Sequence, residues 1–346
     1  MTDLYRLAWP VLRRIPPERA ADLALWALSR KLVPLPPTRT HSSLRTKVWD
    51  LDFPNPLGLA AGCDKDARAV EGFFSMGFGF VEVGTVTPKP QAGNPKPRLF
   101  RLEPDGALIN RLGFNSIGAD VVEERLRRPR AGILGVNLGP NRGSADAVGE
   151  IRALARRFRP NADYLVINLS SPNTPGLRDM QAPARLAPLI DSVRGDSQGD
   201  RTPIVIKISP DLSPDSRESI AEFAIAKEID GLIIANTTTK RTALRSRKAN
   251  ETGGLSGRPL FESSTALLGE MYRRTNGRVT LIGVGGVSDG VDAYTKVRAG
   301  ASLVQLYTGL VYRGPAIVSQ ILQELENCLA KDGFARIDEA VGADHS

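Results

Sequence analysis

Short apolar runs, many of them rich in β-branched residues, recur along the chain from about residue 50 onward. Each run is bounded by glycine, proline or polar residues, which is typical of a buried β-strand. The intervals between several of the runs are long enough to hold a helix. The eight runs lie at residues 57–61, 80–83, 132–136, 164–167, 204–208, 232–235, 280–284 and 303–306.

Helix-like stretches separate several of these runs, at residues 144–158, 213–227 and 264–274. Near-continuous apolar strands that alternate with helices predict a parallel sheet covered on both faces. Eight such units predict an α/β fold, a (β/α)8 TIM barrel. A doubly wound sheet is the alternative, but it would need a dinucleotide-type turn after an early strand. The glycines at residues 57–62 do not form the GxGxxG pattern of that turn.

The first forty residues follow a different pattern. Apolar residues at positions 4, 7, 8, 11 and 12 fall on one face of a helix. Pro16 and Pro17 interrupt this helix, a second apolar segment occupies residues 23–28, and prolines 34, 36 and 37 end it. The sequence therefore predicts a helical hairpin over residues 1–40, a barrel domain over residues 41–335 and a disordered tail over residues 336–346.

The positive charge of the chain is concentrated in this N-terminal segment. The 346 residues carry a net charge of +8, and residues 1–47, with nine basic and three acidic residues, supply six of those eight charges. The rest of the chain is nearly neutral, which argues against a nucleic-acid-binding surface. Neither predicted helix approaches the roughly 20 apolar residues that span a bilayer. Two interpretations stay open: a hairpin packed on the barrel, and a monotopic device that lies in the membrane surface.

Few residues are suited to metal binding or nucleophilic catalysis. Cys63 and Cys328 are far apart in the sequence, so a disulfide framework and a CxxC metal motif are excluded. His41 and His345 are the two histidines, and both lie in weakly patterned segments, which argues against a histidine-based triad or zinc site. With 41% apolar and 24% charged residues, the chain has the composition of a globular protein with a full-sized core.

Nearly every predicted strand ends in a polar residue or a glycine. In a barrel these ends converge on one face, where binding and catalytic residues lie. Lys65 and Lys207 follow two of the runs, and a lysine at the end of an apolar strand is costly to bury without an anionic partner. Amide side chains suit a planar ligand with alternating N–H and C=O groups, such as a pyrimidine or an isoalloxazine edge. The candidate amides are Asn110, Asn137, Asn168, Asn173 and Asn236.

Two further segments indicate a ligand site. Residues 283–286 read Gly-Val-Gly-Gly after the seventh run, and Tyr307 and Thr308 follow the eighth, where barrels place a phosphate site. Residues 168–178 contain two prolines and a glycine, which preclude a helix, so this loop is suited to close over a site as a lid. Its serines have no histidine to activate them, so a serine hydrolase is not supported.

Eight ordered motifs in the predicted barrel resemble those of the class 2, quinone-dependent dihydroorotate dehydrogenases, which are FMN flavoproteins of pyrimidine synthesis. The motifs include NPLGLAAGCDK, NLSSPNTPGL and IGVGGV, and together they cover the barrel almost from end to end. They lie at residues 55–65, 83–88, 97–102, 108–115, 168–177, 253–260, 282–287 and 300–307.

The resemblance implies oxidation of (S)-dihydroorotate to orotate through FMN, with transfer of the electrons to a membrane quinone in de novo UMP synthesis. It places Ser171 as the catalytic base in the lid, where class 1 relatives usually carry cysteine, and it implies no metal. The implied FMN-binding residues are Ala61, Gly62, Cys63, Asp64, Lys65, Thr85, Asn137, Asn168, Lys207, Ala235, Gly257, Gly286, Tyr307 and Thr308. The implied substrate-binding residues are Lys65, Asn110, Arg111, Leu112, Gly113, Phe114, Asn168, Asn173, Asn236 and Thr237.

The hairpin of class 2 enzymes forms the quinone entrance at the membrane, and class 1 enzymes lack it. The resemblance therefore implies a peripheral protein on the cytoplasmic face of a bacterial cell membrane, a monomer that contacts anionic lipid through the hairpin and binds no nucleic acid. Two rival interpretations stay open. One is a different FMN barrel oxidoreductase that uses fumarate or NAD, and the other is a non-catalytic RNA- or membrane-binding protein on a barrel scaffold.

Overall fold

A computed structural model describes residues 4–35, 39–170, 178–196, 199 and 201–345. Most strands are short and fully buried, as the apolar runs predict. In chain order the strands are β1 (Thr46–Val48), β2 (Leu51–Phe53), β3 (Leu57–Leu59), β4 (Phe80–Val86), β5 (Leu99–Leu102), β6 (Ala107–Asn110), β7 (Ile133–Leu138), β8 (Tyr164–Asn168), β9 (Ile204–Lys207), β10 (Gly231–Ile234), β11 (Gly254–Gly257), β12 (Thr280–Val284) and β13 (Leu303–Leu306).

Helices follow most of the barrel strands and turn their apolar faces inward. In chain order they are α1 (Leu4–Leu12), α2 (Pro17–Ser29), α3 (Val70–Ser75), α4 (Ala119–Leu126), α5 (Ala147–Phe158), α6 (Pro183–Gly195), α7 (Pro214–Ala226), α8 (Phe261–Thr275), α9 (Gly290–Arg298), α10 (Thr308–Arg313) and α11 (Ile317–Asp332).

The barrel closes through eight parallel strands in the order β3, β4, β7, β8, β9, β10, β12 and β13, with β13 pairing back onto β3. These are the eight apolar runs of the sequence, so the predicted (β/α)8 barrel is confirmed. The three predicted barrel helices are also present, as α5, α7 and α8. The bounds of β12 and β13 are the predicted ones, and the ends of the other strands differ from the predicted bounds by at most three residues, because hydrogen-bonded pairing and apolar character do not stop at the same residue.

The barrel interior is filled at its N-terminal end and open at the other. Phe80, Tyr164 and Ile233 point inward from different strands and pack in one buried cluster. The antiparallel ribbon β1–β2 covers this end, and the ring of its Phe53 meets that of Phe80 edge-on at 5.5 Å between centroids. A ligand can therefore enter only from the carboxyl ends of the strands, which is where barrels carry their sites.

A second sheet, which the apolar runs do not predict, flanks the open end. Strand β6 pairs antiparallel with β5 on one side and with β11 on the other. Its register sets Asn110 opposite Gly254, which are 144 residues apart in the chain. Side chains of β6 and β11 thereby reach the mouth of the barrel.

Helices α1 and α2 form the predicted N-terminal hairpin, and they contact the barrel through the buried Leu28 and through polar groups. Glu18 pairs with Arg98 at 2.6 Å, and the Tyr5 hydroxyl donates to the carbonyl of Val311 at 2.5 Å. The outer surface of the hairpin is apolar and exposed. It carries Leu7, Val11, Leu23, Trp26 and, just after α2, Leu32. No helix among the described residues has the length and apolar character needed to cross a membrane.

The predicted disordered tail at residues 336–346 is wrong for the residues that the structure describes there. Ile337 and Ala340 are fully buried, and Asp344 pairs with Arg298 at 2.7 Å. His345 stacks on Tyr272 with 5.4 Å between the ring centroids. The charged composition of this segment predicts exposure to solvent, but its two buried apolar residues and its contacts with Arg298 and Tyr272 hold it against α8 and α9.

Candidate active site

An open pocket lies at the carboxyl ends of the barrel strands. Strands β4, β8 and β9, the loops after β3, β10, β12 and β13, and the flanking sheet all contribute to it. Most of the residues predicted from the sequence line it. These are Ala61, Gly62, Lys65, Thr85, Asn110, Leu112, Gly113, Phe114, Asn168, Lys207, Ala235, Asn236, Thr237, Gly257, Gly286, Tyr307 and Thr308.

Four of the predicted binding residues lie outside the pocket lining. The Asp64 carboxylate accepts hydrogen bonds from the backbone N–H groups of Arg68 and Ala69, so it shapes the loop after β3. Burial raises the pKa of the neighbouring Cys63 thiol to about 12. Arg111 turns away to pair with Glu251 at 2.7 Å, and Asn137 lies one layer below the pocket. Sequence matching selects whole segments, whereas alternate side chains of a segment face opposite ways.

Two predicted residues, Ser171 and Asn173, lie outside the described residues. The described chain brings Ser170, the residue before them, into the site. Its hydroxyl donates to Asn168 Oδ1 at 3.1 Å and accepts from Asn236 Nδ2 at 2.9 Å. The lid segment therefore departs from a point that is fixed by two of the predicted amides.

A connected network of amides and hydroxyls forms the floor of the pocket. Thr85 Oγ1 donates to Asn137 Oδ1 at 2.6 Å, and Asn168 Nδ2 donates to the same Thr85 oxygen at 2.9 Å. Asn137 Nδ2 in turn donates to the buried carboxylate of Glu82 at 2.8 Å. Because each amide is held through both of its ends, the network fixes which atom, donor or acceptor, each side chain presents to a ligand.

The side chain of Glu82 is fully buried below this floor. Besides Asn137, it accepts hydrogen bonds from Gln305 Nε2 at 2.5 Å and the Tyr164 hydroxyl at 3.5 Å. Gln305 lines the pocket, and its Oε1 atom is buried without a hydrogen-bond partner in the described part of the chain. A buried carbonyl without a donor is costly, so it marks a place where a ligand N–H group fits.

Two lysines supply positive charge inside the pocket. Burial lowers the pKa of Lys65 to about 8 and also lowers the pKa of Lys207, against the opposing effect of Glu82. Neither ammonium makes a hydrogen bond or an ion pair with any residue that the structure describes. A half-buried and a buried lysine without an anion in contact favour a ligand that brings negative charge to both.

Glycines at one end of the pocket let the backbone come close to a ligand. Gly257, Gly285 and Gly286 have φ angles of +96°, +113° and +80°, which other residues rarely adopt. A Cβ atom on Gly286 would lie 2.4 Å from that of Phe261. Next to these turns, the hydroxyls of Ser256 and Thr308 are 2.8 Å apart. Exposed backbone N–H groups beside paired hydroxyls are typical of a phosphate cradle.

The pocket is built for binding a flat anionic group rather than for metal or hydrolytic chemistry. Its described lining contains no carboxylate, imidazole or thiol. No cluster of three or more His, Cys, Asp or Glu side chains suited to a metal occurs among the described residues. Amides, two lysines and a phosphate cradle together match a flavin nucleotide with a small carboxylate substrate beside it.

Seven lining residues are not among the binding residues that the family resemblance implies, although Val284 and Gly285 lie in the Gly-Val-Gly-Gly segment that the sequence indicates as a phosphate site. Most are small or apolar neighbours of predicted residues, and they carry no chemical signal of their own. Ser256 and Gln305 carry one: Ser256 lies in the GGLSGRPL motif, and Gln305 is the polar residue inside the apolar run of β13. The seven are Ala60, Ser256, Leu260, Val284, Gly285, Val287 and Gln305.

Comparisons with known proteins agree with this site. The family model described as dihydroorotate dehydrogenase matches residues 43–329. A protein of Rhodospirillum rubrum named dihydroorotate dehydrogenase (quinone) is 49% identical, with 100% of this chain and 96% of that protein covered. Its namesake in Parvibaculum lavamentivorans is 51% identical, with 99% of each chain covered. A relative named as the mitochondrial quinone enzyme of Arabidopsis thaliana is 50% identical, with 97% of this chain and 80% of that protein covered.

A solved structure is similar over nearly the whole chain. The crystal structure of DHODH from Eimeria tenella in complex with ferulenol superposes with a TM-score of 0.92 and 43% sequence identity. The match covers 97% of this chain and 99% of that chain. The N-terminal hairpin falls largely within the matched length, since only 3% of this chain is left out.

Proposed function

The chain belongs to the dihydroorotate dehydrogenase family, and on that premise we propose that it oxidises (S)-dihydroorotate to orotate through FMN and passes the electrons to a membrane quinone. The reaction is the redox step of de novo UMP synthesis. The observation that carries the proposal is the pair of lysines, the half-buried Lys65 and the buried Lys207, which face one pocket with no anionic partner among the described residues.

The pocket fits FMN on three separate grounds. The positive φ angles at Gly257 and Gly286 shape two tight turns at one end of the pocket, where a Cβ atom would collide with neighbouring protein atoms, and such glycine turns bring backbone N–H groups close to a phosphate. Gln305 Oε1 has no hydrogen-bond donor in the described part of the chain, and a flavin ring carries an N–H group that can donate to it. Lys207 supplies positive charge where the floor amides end, next to β8. When bound, FMN accepts a hydride from dihydroorotate and passes electrons on to the quinone.

The residues of the chain have distinct tasks around these ligands. Lys207 stabilises the negative charge that develops when the flavin is reduced. Lys65 pairs with the substrate carboxylate, and the amides of Asn110, Asn168 and Asn236 orient the substrate ring. The glycine turns and Thr308 hold the phosphate. The proton from the substrate is assigned to Ser171, on the strength of the family resemblance.

The hairpin supplies the route for the quinone. Helix α10 begins at Thr308 in the pocket wall, and its Tyr312 lies against Trp9 of α1, with 5.5 Å between the ring centroids. One short helix therefore connects the flavin site to the hairpin. The exposed apolar surface and the basic charge of the hairpin suit insertion into the surface of an anionic membrane, on its cytoplasmic face.

An absorbance spectrum followed by addition of dihydroorotate tests the proposal. The purified protein is expected to be yellow, to bleach with dihydroorotate in the absence of oxygen, and to recover its colour with a short-chain quinone. Recovery with fumarate or NAD instead of quinone would place it among the other FMN barrel oxidoreductases. A protein without flavin absorbance, even after incubation with FMN, would contradict the proposal and favour a binding role for the scaffold.

Replacing Lys207 with alanine is expected to lower the flavin reduction potential by roughly 30–60 mV. A charge-assisted interaction is worth roughly 1.5–3 kcal/mol, and about 1.4 kcal/mol corresponds to 30 mV in a two-electron couple. Redox titration of the purified variant measures the shift. Lys331→Ala, which removes an exposed lysine from α11, is the control for net charge. An unchanged potential at full flavin occupancy would leave Lys207 with a structural role only.

A further inference from the structure

Lys296 is a buried lysine that the proposed mechanism does not use. It lies on α9 and is completely shielded from solvent. Its Nζ donates to Ser264 Oγ at 2.9 Å and to Thr265 Oγ1 at 3.0 Å, and it lies 5.1 Å from the centre of the Phe261 ring. Two hydroxyls and an aromatic face therefore surround the ammonium, and no carboxylate of the described chain is in contact with it.

The groups that hold Lys296 also support the phosphate cradle. Ser264 Oγ lies 3.1 Å from the carbonyl oxygens of both Gly285 and Phe261, which share its one hydroxyl proton. Phe261 packs so closely on Gly286 that no side chain fits between them. The Ser264 hydroxyl and Phe261, whose ring faces the ammonium and whose backbone and Cβ face Gly286, thus lie between Lys296 and the two glycines that line the pocket.

A structural role alone does not account for a charged group at this position. Methionine would fill the same space without the cost of removing an ammonium from water. Burial lowers the pKa of Lys296 to about 7, and Asp292, one turn earlier on α9, acts in the opposite direction. The Asp292 carboxylate is itself bonded to Ser288 and lies 4.0 Å from Arg258, so it offers Lys296 little compensation. An anion in the cradle would supply that compensation.

We propose that Lys296 is a positioning residue for the cofactor phosphate, which acts through Ser264 and Phe261 on the Gly285–Gly286 turn and adds positive charge behind it. The inference rests on the proposed binding of FMN in this pocket. It differs from a direct contact, because the side chain lies behind the backbone that lines the pocket. Its failure is distinguishable from failure of the proposed function, since it concerns only how tightly an already bound flavin is held.

The rate of flavin release tests this role without any turnover. Holoenzyme is diluted into buffer at a series of pH values from 6.5 to 9, and the fluorescence of released FMN is followed with time. Lys296→Met and Lys296→Gln remove the charge, and the glutamine variant keeps a hydrogen-bond donor for Ser264 and Thr265. Lys331→Met, on the exposed side of α11, controls for the loss of one positive charge.

Wild-type protein is expected to release FMN faster as the pH rises, because the phosphate holds a protonated Lys296 that deprotonates at alkaline pH. Binding of the phosphate raises the pKa of the ammonium, so the change falls above pH 7. Both Lys296 variants are expected to release FMN about tenfold faster than wild type at pH 6.5, the scale of attraction between unit charges about 10 Å apart at an effective dielectric constant of about 20. The difference shrinks toward pH 9.

Two results would overturn the proposal. One is a pair of variants that release FMN at the wild-type rate at pH 6.5. The other is faster release by the same factor at every pH, with the alkaline rise retained, which is the signature of a packing defect. If Lys296→Met yields too little folded protein, the pH profiles of wild type and Lys296→Gln decide between these outcomes.

Discussion

Replacing Ser171 with alanine is expected to slow reduction of the flavin by dihydroorotate roughly 10²–10⁴-fold while both ligands still bind, because loss of a general base costs that much. The described lining of the pocket offers no good alternative base. Its ionisable groups are Lys65, Lys207 and Tyr307. Burial raises the pKa of Tyr307 well above its usual range, and both lysines are assigned to binding anions, which requires their protonated form.

Anaerobic stopped-flow absorbance measures the reduction step, and two variants sharpen it. Ser171→Cys is expected to keep part of the rate, since a thiolate is a competent base. Ser170→Ala removes the neighbouring hydroxyl, which bonds to Asn168 and Asn236, and is expected to have the smaller effect. A near wild-type rate of flavin reduction in Ser171→Ala would contradict the assignment of Ser171 as the general base. A rate in that variant that climbs as the pH passes about 8 would instead identify neutral Lys65 as the base.

The barrel is predictable from local pattern, because each parallel strand is buried on both faces and appears as an apolar run. The flanking sheet is not predictable in this way. Its strands are four residues long, and Gly254 of β11 pairs with Asn110 of β6 across 144 residues of the chain. Residues 254–257 contain two glycines and a serine, which are not typical of a strand, and residues 99–102 are an apolar run too short to be assigned from local pattern alone. Pairing between distant segments decides their structure, and no single window of sequence contains it.

The polar residues that line the site are predictable in the same way as the barrel strands, whereas the layer below them is not. Residues such as Lys207 and Asn168 end apolar strands, and the fold turns every such end to one face. The layer below is harder to foresee. Asn137 follows the same sequence pattern as Asn168, at the polar end of an apolar strand. Its side chain lies below the pocket lining, where it is hydrogen-bonded to Glu82 and Thr85. Which of two polar strand ends touches the ligand depends on strand stagger, and that is a property of the closed barrel.

The second large effect is expected from deleting residues 1–37. Reduction of the flavin by dihydroorotate should persist, because the pocket lining begins at Ala60. Turnover with a long-chain quinone in anionic vesicles should fall roughly 100-fold, the scale on which co-localisation raises effective concentration. Binding to the vesicles should also weaken, and what is left should depend less on salt, since the deletion removes six basic and three acidic residues, three of the eight net positive charges. Flavin reduction by dihydroorotate and quinone reduction are measured separately, and each rate is compared between the deletion variant and the full chain.

The deletion also exposes barrel surface and removes Glu18 from the buried Arg98, so a gentler variant is needed beside it. Leu23→Ser with Trp26→Ser changes the exposed side of α2 and leaves the contacts of Glu18 and Tyr5 with the barrel in place. This double variant should keep flavin content and dihydroorotate-dependent bleaching, and lose vesicle binding and long-chain quinone turnover together. Val291→Ser, at an exposed apolar residue of α9, is the control and should change neither vesicle binding nor long-chain quinone turnover.

If the double variant and the deletion both reduce vesicle quinone at the wild-type rate, the hairpin is a structural cover of the barrel. Electrons would then leave the flavin by a route that does not pass α10 and Trp9.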